Sequence, residues 1–361
     1  MTYTYNTLIS APSNTAHSKQ HKQSKAILSF LLSLGLLLTA SLFISSSADA
    51  AEKKKRYKVP KTEFGHPDLR GVWNFSSNTP LERPLEYGDK EFLTKTDLEA
   101  IEARRLAQSA AADNSTGGGV GGYNQFWVES LAQGDNFRTS LIIDPKNGRM
   151  PPRAKGAVVS FGGLGPDSPG ERPVRFRVGG IAKDGPEDRG LSERCLMGFN
   201  SGPPFMPSMY NNNVHISQTK DHVVILTEMI HDARIVPIDG RPHLPEELKQ
   251  WSGDSRGHWE GNTLVVETKN FTPKTQSFRG AGIGSNLKLT EKFTRVADDS
   301  VEYEFTIDDP KSYTQPITVL VPMVAVDGQI FEYACHEGNY GMFNILAGER
   351  KSEAAAKNNA K

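Results

Sequence analysis

The chain has 361 residues, 37% of them hydrophobic, and its 42 Lys+Arg balance 42 Asp+Glu. Residues 1–50 carry three Lys and one Asp, so the remainder has a net charge of −2. That argues against a nucleic-acid or anionic-membrane partner, which would need a basic face, and leaves a small-molecule substrate or ligand as the expected partner. The oligomeric state is not encoded in these numbers.

The first 25 residues are polar, with Lys19, Lys22 and Lys25 ahead of an uninterrupted apolar run, Ala26 to Ile44. Ala48-Asp49-Ala50 then fits the small-x-small pattern of a signal peptide cleaved after Ala50, which predicts a periplasmic or secreted protein. The alternative is an uncleaved N-terminal anchor in the inner membrane, because the run is long enough to span. Residues 51–67 form a basic lead-in, 68–348 a single β-rich domain, and 349–361 a disordered tail. The roughly 280 residues of folding material suffice for a full core.

Asp68 to Phe75 reads as a first strand and holds Gly71-x-Trp73. Residues 93–112 are the one expected helix, with Thr96 as its cap and Asp97 and Glu99 at the positive end of its dipole. Gly117 to Gly122 follows as a linker. No strand precedes this run and no GK[ST] follows it, which removes the phosphate-cradle reading. Arg138 to Pro145 is a strand, and 151–210 is a long Gly- and Pro-rich irregular region.

From Asn211 on, strands dominate: 213–219, 222–230, 233–238, 257–260, 263–270, 287–296, 301–307, and a hairpin of 318–326 with 329–333 across Asp327-Gly328. Val301, Tyr303, Phe305 and Ile307 alternate with Glu302, Glu304 and Thr306, so one face is core and the other wet. The fold class is mainly β, an antiparallel meander forming a lipocalin-like barrel or sandwich. Cys195 and Cys335 are the two cysteines, and an oxidising compartment pairs them as a disulfide; two free buried thiols are the alternative.

Three segments concentrate chemistry. Treated as one regular strand, 222–234 places Glu228, Asp232 and Arg234 on a face with Val224, Leu226 and Ile230. Arg234 would pair a carboxylate beside His231, either as a proton-transfer pair or as a structural ion pair. In Asp254-Ser-Arg256-Gly-His258-Trp259-Glu260, His258 and Glu260 point the same way and suit acid/base work. They could also supply two metal ligands, but a zinc site needs a third, and no sequence pattern calls for a cofactor. The bland reading pairs Asp254 with Arg256 within the turn and packs Trp259 in the core. In Tyr333 to Gly341, His336 is a further acid/base candidate and Tyr340 a substrate contact, on a loop pinned by the cystine or merely exposed. Glu291, between Leu289 and Phe293, shares their parity, either facing inward as a candidate proton donor or reaching water at an edge or barrel mouth. His66, His222 and His243 read as isolated surface residues.

HDARIVPIDGRPH, GDSRGHWEGNTLVVETKNF, FTIDDPKSYTQP and YACHEGNYG together resemble a group of secreted bacterial proteins, over roughly residues 68–348. The resemblance implies a shared fold and polar cluster and assigns no catalytic residue. Gly71-x-Trp73 is similar to the lipocalin superfamily in general shape only, since residues 76–135 and 151–210 depart from that plan.

These observations define one functional expectation and one alternative. The first is an extracytoplasmic enzyme acting on a small molecule by general acid/base chemistry: hydrolysis, elimination or isomerisation. Glu228, His231, Asp232, His258, Glu260 and His336 would be catalytic, with Arg234, Asp254, Arg256, Trp259 and Tyr340 binding substrate. The alternative is a periplasmic barrel that binds an apolar or aromatic ligand on Trp73, Trp127, Trp251 and Trp259 without catalysis.

Overall fold

A computed structural model of the chain describes residues 57–113, 137–158, 183–275 and 277–360. The expected signal peptide and the Gly117–Gly122 linker lie outside the described residues. The strands are β1 (Gly71–Asn74), β2 (Ile142–Asp144), β3 (Asn213–Gln218), β4 (His222–Thr227), β5 (Ala233–Pro237), β6 (Asp254–Glu260), β7 (Thr263–Lys269), β8 (Lys288–Ala297), β9 (Ser300–Asp308) and β10 (Ile317–Ala325). All pair antiparallel in the order β5-β4-β3-β1-β10-β9-β8-β7-β6, and β2 adds to β10 beside β1. The sheet curls into a nearly closed barrel. Among the described residues no ladder joins β5 to β6, and side chains close that seam. Val236 and Ile238 press so close on Gly257 that a Cβ there would lie 2.9 Å from each.

Antiparallel register gives the barrel two distinct ends. The 218–222, 260–263 and 297–300 connections cluster with Gly71 at one end, here the base. The 228–232 turn, Asn213 and the start of β6 lie at the other end, the mouth. The alternating pattern sets the core: Val301, Tyr303, Phe305 and Ile307 of β9 are all buried, as are Val319, Val321 and Met323 of β10. Each such side chain contributes roughly 1.5–3 kcal/mol by leaving water. The irregular segment before β3 sends Phe205 into this core, where its ring lies 5.4 Å from Phe75 and 5.5 Å from Tyr303. Trp73 is also interior. Its Nε1 donates to the Leu69 carbonyl at 2.8 Å, and the Arg295 guanidinium sits over its ring.

Three local expectations change. Helix α1 (Lys95–Asp113) is capped by Thr94 rather than Thr96: the Thr94 backbone N–H donates to Asp97 at 2.6 Å and Asp97 N–H to Thr94 Oγ1 at 3.3 Å. This is the reciprocal pattern of a cap and its third helical residue. Asp327-Gly328 closes no hairpin, because β10 already has β9 on one edge and β1 on the other. Residues 329–333 instead run as an irregular strap. The tail beyond 348 is the second half of a helix, α2 (Tyr340–Asn359), whose first turn is capped by Asn339 accepting from Met342 N–H. Cys195 and Cys335 form the expected disulfide. Among the described residues no helix is long and apolar enough to cross a membrane.

Candidate functional site

The HDAR segment is divided by a tight turn. The Thr227 backbone N–H donates to the Asp232 carbonyl at 2.9 Å, enclosing Glu228 to His231. Ile230 and His231 both take left-handed backbone, at φ 54° and 46°. For a β-branched residue this is a true outlier, and each such residue carries of order 1–2 kcal/mol of strain. The turn resets strand parity. β4 buries Val223, Ile225 and Thr227, and β5 points Arg234 and Val236 inward. The single-strand reading, with Glu228, Asp232 and Arg234 on the face of Val224 and Leu226, is therefore overturned.

Arg234 reaches across the barrel to Glu291, not to Glu228. Its two terminal nitrogens fork the two Glu291 oxygens, one contact measuring 3.0 Å. Glu291 is fully buried, as its parity predicted. Tyr303 Oη donates to Glu291 Oε1 at 2.8 Å and accepts the Phe205 backbone N–H at 3.1 Å. Arg234 also stacks over the Phe205 ring. Burial works against the charged guanidinium, but the Glu291 carboxylate outweighs it and leaves the Arg234 pKa raised. Burial, then Glu291, pushes the Tyr303 hydroxyl well above its ordinary value. Glu291 accepts from every partner here, so its expected role as a proton donor does not hold. Arg234 is engaged by an internal carboxylate, so its expected role as an anion clamp is not available.

At the mouth, Glu228 is buried and accepts from Asn213 Nδ2 at 2.7 Å and from the Phe331 backbone N–H at 3.2 Å. Its own carbonyl accepts from Tyr333 N–H. His231 is held outward, its side chain 41% exposed. Its Nδ1 lies 3.3 Å from the Tyr333 carbonyl and 3.7 Å from Glu332. Asp232 receives Ser252 Oγ at 3.5 Å and contributes to the field on Arg234. The strap 329–335 thus completes the surroundings of His231. Tyr210 backs it, its ring 6.4 Å from that of Tyr333 and edge-on to Phe199. Strap contacts are long-range, and no spacing in the sequence announces Glu332 or Tyr333 as neighbours of His231.

The DSRGHWE segment does not join this cluster as a unit. A seven-residue strand spans about 20 Å, so its ends lie at opposite ends of the barrel. Asp254, at the mouth end, accepts from His243 Nδ1 at 2.8 Å, Leu244 N–H at 2.9 Å and Arg256 Nη1 at 2.6 Å. Arg256 also donates to the carbonyls of Ser255 and Pro242. Both residues are occupied in tying the 239–253 loop to β6; they pair with each other as the bland reading expected, but on the strand rather than within a turn. His243, expected on the open surface, is an integral part of this clamp. His258 and Glu260 pair at 3.1 Å on the exposed outer face at the base, remote from the mouth by register. Trp259 packs against the core and stacks on His66. His336 and Tyr340 are exposed beyond Cys335, in and just after a single 3-10 turn. Among the described residues no group of three His, Cys, Asp or Glu is placed to hold a metal ion.

Of the expected site residues, Glu228, His231 and Asp232 share the mouth turn, each side chain with its own partners, and Arg234 follows on β5. It separates off His258, Glu260, His336 and Tyr340, and commits Asp254 and Arg256 elsewhere. Fold and site together define a disulfide-tied antiparallel β-barrel with a strained, carboxylate-flanked histidine at one mouth. Compared with known proteins, the chain matches no family model and no curated protein.

Proposed function

We propose that the protein is an extracytoplasmic enzyme that moves protons on a small molecule, in a hydrolysis, elimination or isomerisation, with His231 as the acid/base group. Glu228 and Asp232 bracket it in the turn, and the Glu332 carboxylate and the Tyr333 carbonyl lie against its ring. The observation that carries this reading is the pair of consecutive left-handed residues, Ile230 and His231. A hairpin under no other demand places Asn or Gly at such positions. Holding a histidine there projects it outward from a buried Ile, and strain of this kind clusters at working sites. An imidazole near a carboxylate, here Glu332 at 3.7 Å, is the ordinary apparatus of proton transfer near neutral pH. No cofactor is required by this chemistry. The disulfide favours an extracytoplasmic location, in line with the signal-peptide pattern and the resemblance to secreted bacterial proteins.

The ligand-cup reading draws less from the geometry. Trp73 is sealed in the core with its indole N–H satisfied, Trp259 belongs to the base, and Phe205 fills the space below the mouth. The test is complementation. A deletion strain is profiled for accumulated small molecules and supplied with wild-type or His231→Asn protein. Asn tolerates the left-handed backbone, so the fold is kept. The reading predicts that wild-type clears the accumulated compound and His231→Asn does not. Equal clearance by both would remove His231 from the chemistry.

A further inference from the structure

We infer that the Cys195–Cys335 disulfide is a redox gate on the mouth: its reduction by a dithiol releases the strap from His231. The inference rests on the reading of His231 above and adds a means of regulating it. Three observations lead here. First, the strap is thinly held. Between Phe331 and Cys335 it meets the barrel through the Phe331 and Tyr333 amides on Glu228, the Tyr333 carbonyl and the Glu332 carboxylate at His231, and the Tyr210–Tyr333 ring pair. Its residues are otherwise exposed, so the cystine immediately after Ala334 is its main anchor.

Second, the two sulfurs are unequal. Cys195 is buried and Cys335 is half-buried, so an incoming thiolate reaches the Cys335 sulfur and expels Cys195. Third, the expelled thiolate has a donor beside it. Asn339 Nδ2 lies 3.5 Å from Cys195 Sγ while also donating to the Glu193 carbonyl at 2.7 Å, and the Asn339 side-chain oxygen caps the 20-residue helix α2. A leaving thiolate that accepts a hydrogen bond is a better leaving group, and its disulfide is the more easily reduced. Cys195 itself sits in left-handed backbone, at φ 55°, a conformation the cross-link helps to hold.

The exchange balances. One thiolate of the dithiol attacks Cys335 Sγ, the S–S bond breaks, and Cys195 leaves as thiolate. The second dithiol sulfur then displaces Cys335 and closes its own disulfide. Two electrons pass to the protein, two protons end on Cys195 and Cys335, and the dithiol is oxidised.

The test uses the full mature chain in glutathione and dithiothreitol buffers, with thiol content read by alkylation mass shift and amide exchange read by mass spectrometry. The folded protein is expected to be reduced in millimolar dithiothreitol without loss of its β signal. Exchange at Phe331 and Tyr333 should then accelerate about 10-fold or more, while β8, β9 and β10 stay protected. Asn339→Ser keeps a helix cap but withdraws the amide from Cys195, and should be reduced several-fold more slowly. A disulfide that resists dithiothreitol until the barrel unfolds overturns the gate, as does identical exchange in the oxidised and reduced forms. Clearance of the accumulated compound separates the two proposals. Strap release with clearance reduced supports both. Strap release with clearance unchanged keeps the conformational device and overturns its control of His231.

Discussion

The barrel interior and the barrel mouth handle charge in opposite ways, although four consecutive residues, His231 to Arg234, contribute to both. Inside, Arg234, Glu291, Tyr303 and the Phe205 amide form a closed set in which each group meets a complementary partner. At the mouth, Glu228 has neutral donors, His231 is exposed, and the backbone is strained. A satisfied buried network fixes which strands face each other. A strained, accessible one holds a side chain ready for something outside the protein. Under the proposed function the motif divides, with Arg234 serving architecture and His231 serving chemistry.

The largest effect should come from breaking the interior set on one side only. Arg234→Met leaves Glu291 buried without its cation and should cost about 3–5 kcal/mol in urea denaturation. Arg234→Met combined with Glu291→Leu removes both charges and should recover most of that loss. A double variant as unstable as the single one would show that the network is more than a matched pair. Next in size is the seam. Gly257→Ala sets a methyl against Val236 and Ile238 and should cost about 1–3 kcal/mol by overpacking.

The mouth should respond with the opposite sign. His231→Gly removes a side chain from a left-handed position and should stabilise the fold by about 1 kcal/mol while abolishing clearance. A loss of stability would mean that the histidine is there to pack. The smallest effect belongs to the cap of α1. Hydrogen bonds from Lys90, then Thr94, bring the Asp97 carboxyl down to about 2. A depressed carboxylate stabilises the fold above its unfolded value and loses that contribution as pH falls through the folded one. Fraying of α1 should thus begin only below pH 4 and complete near pH 2, followed by the Asp97 side-chain resonance.

The strands were legible because burial on one face imposes strict alternation. Val301, Tyr303, Phe305 and Ile307 could be placed inward from that alternation, and Glu291 from its spacing between Leu289 and Phe293. The partner of Glu291 was not legible. It depends on a four-residue turn that shifts parity between Thr227 and Ala233, and Ile230 and His231 are not residues that announce such a turn. The same limit applies to the DSRGHWE segment, whose local density of polar groups conceals a span of most of the barrel. The C-terminal helix was hidden by its polar second half and by Gly341 and Gly348. His231 was a candidate from the start, but its neighbours on the strap, some 100 residues away, emerged only from the fold.

The division between architecture and chemistry is tested most directly by turnover. The small molecule that accumulates in a deletion strain is incubated with purified wild-type protein, with His231→Asn, and with the Arg234→Met/Glu291→Leu pair. The account predicts turnover by wild-type and by the double variant, and none by His231→Asn. Turnover by His231→Asn together with a dead double variant would place the chemistry inside the barrel and contradict it.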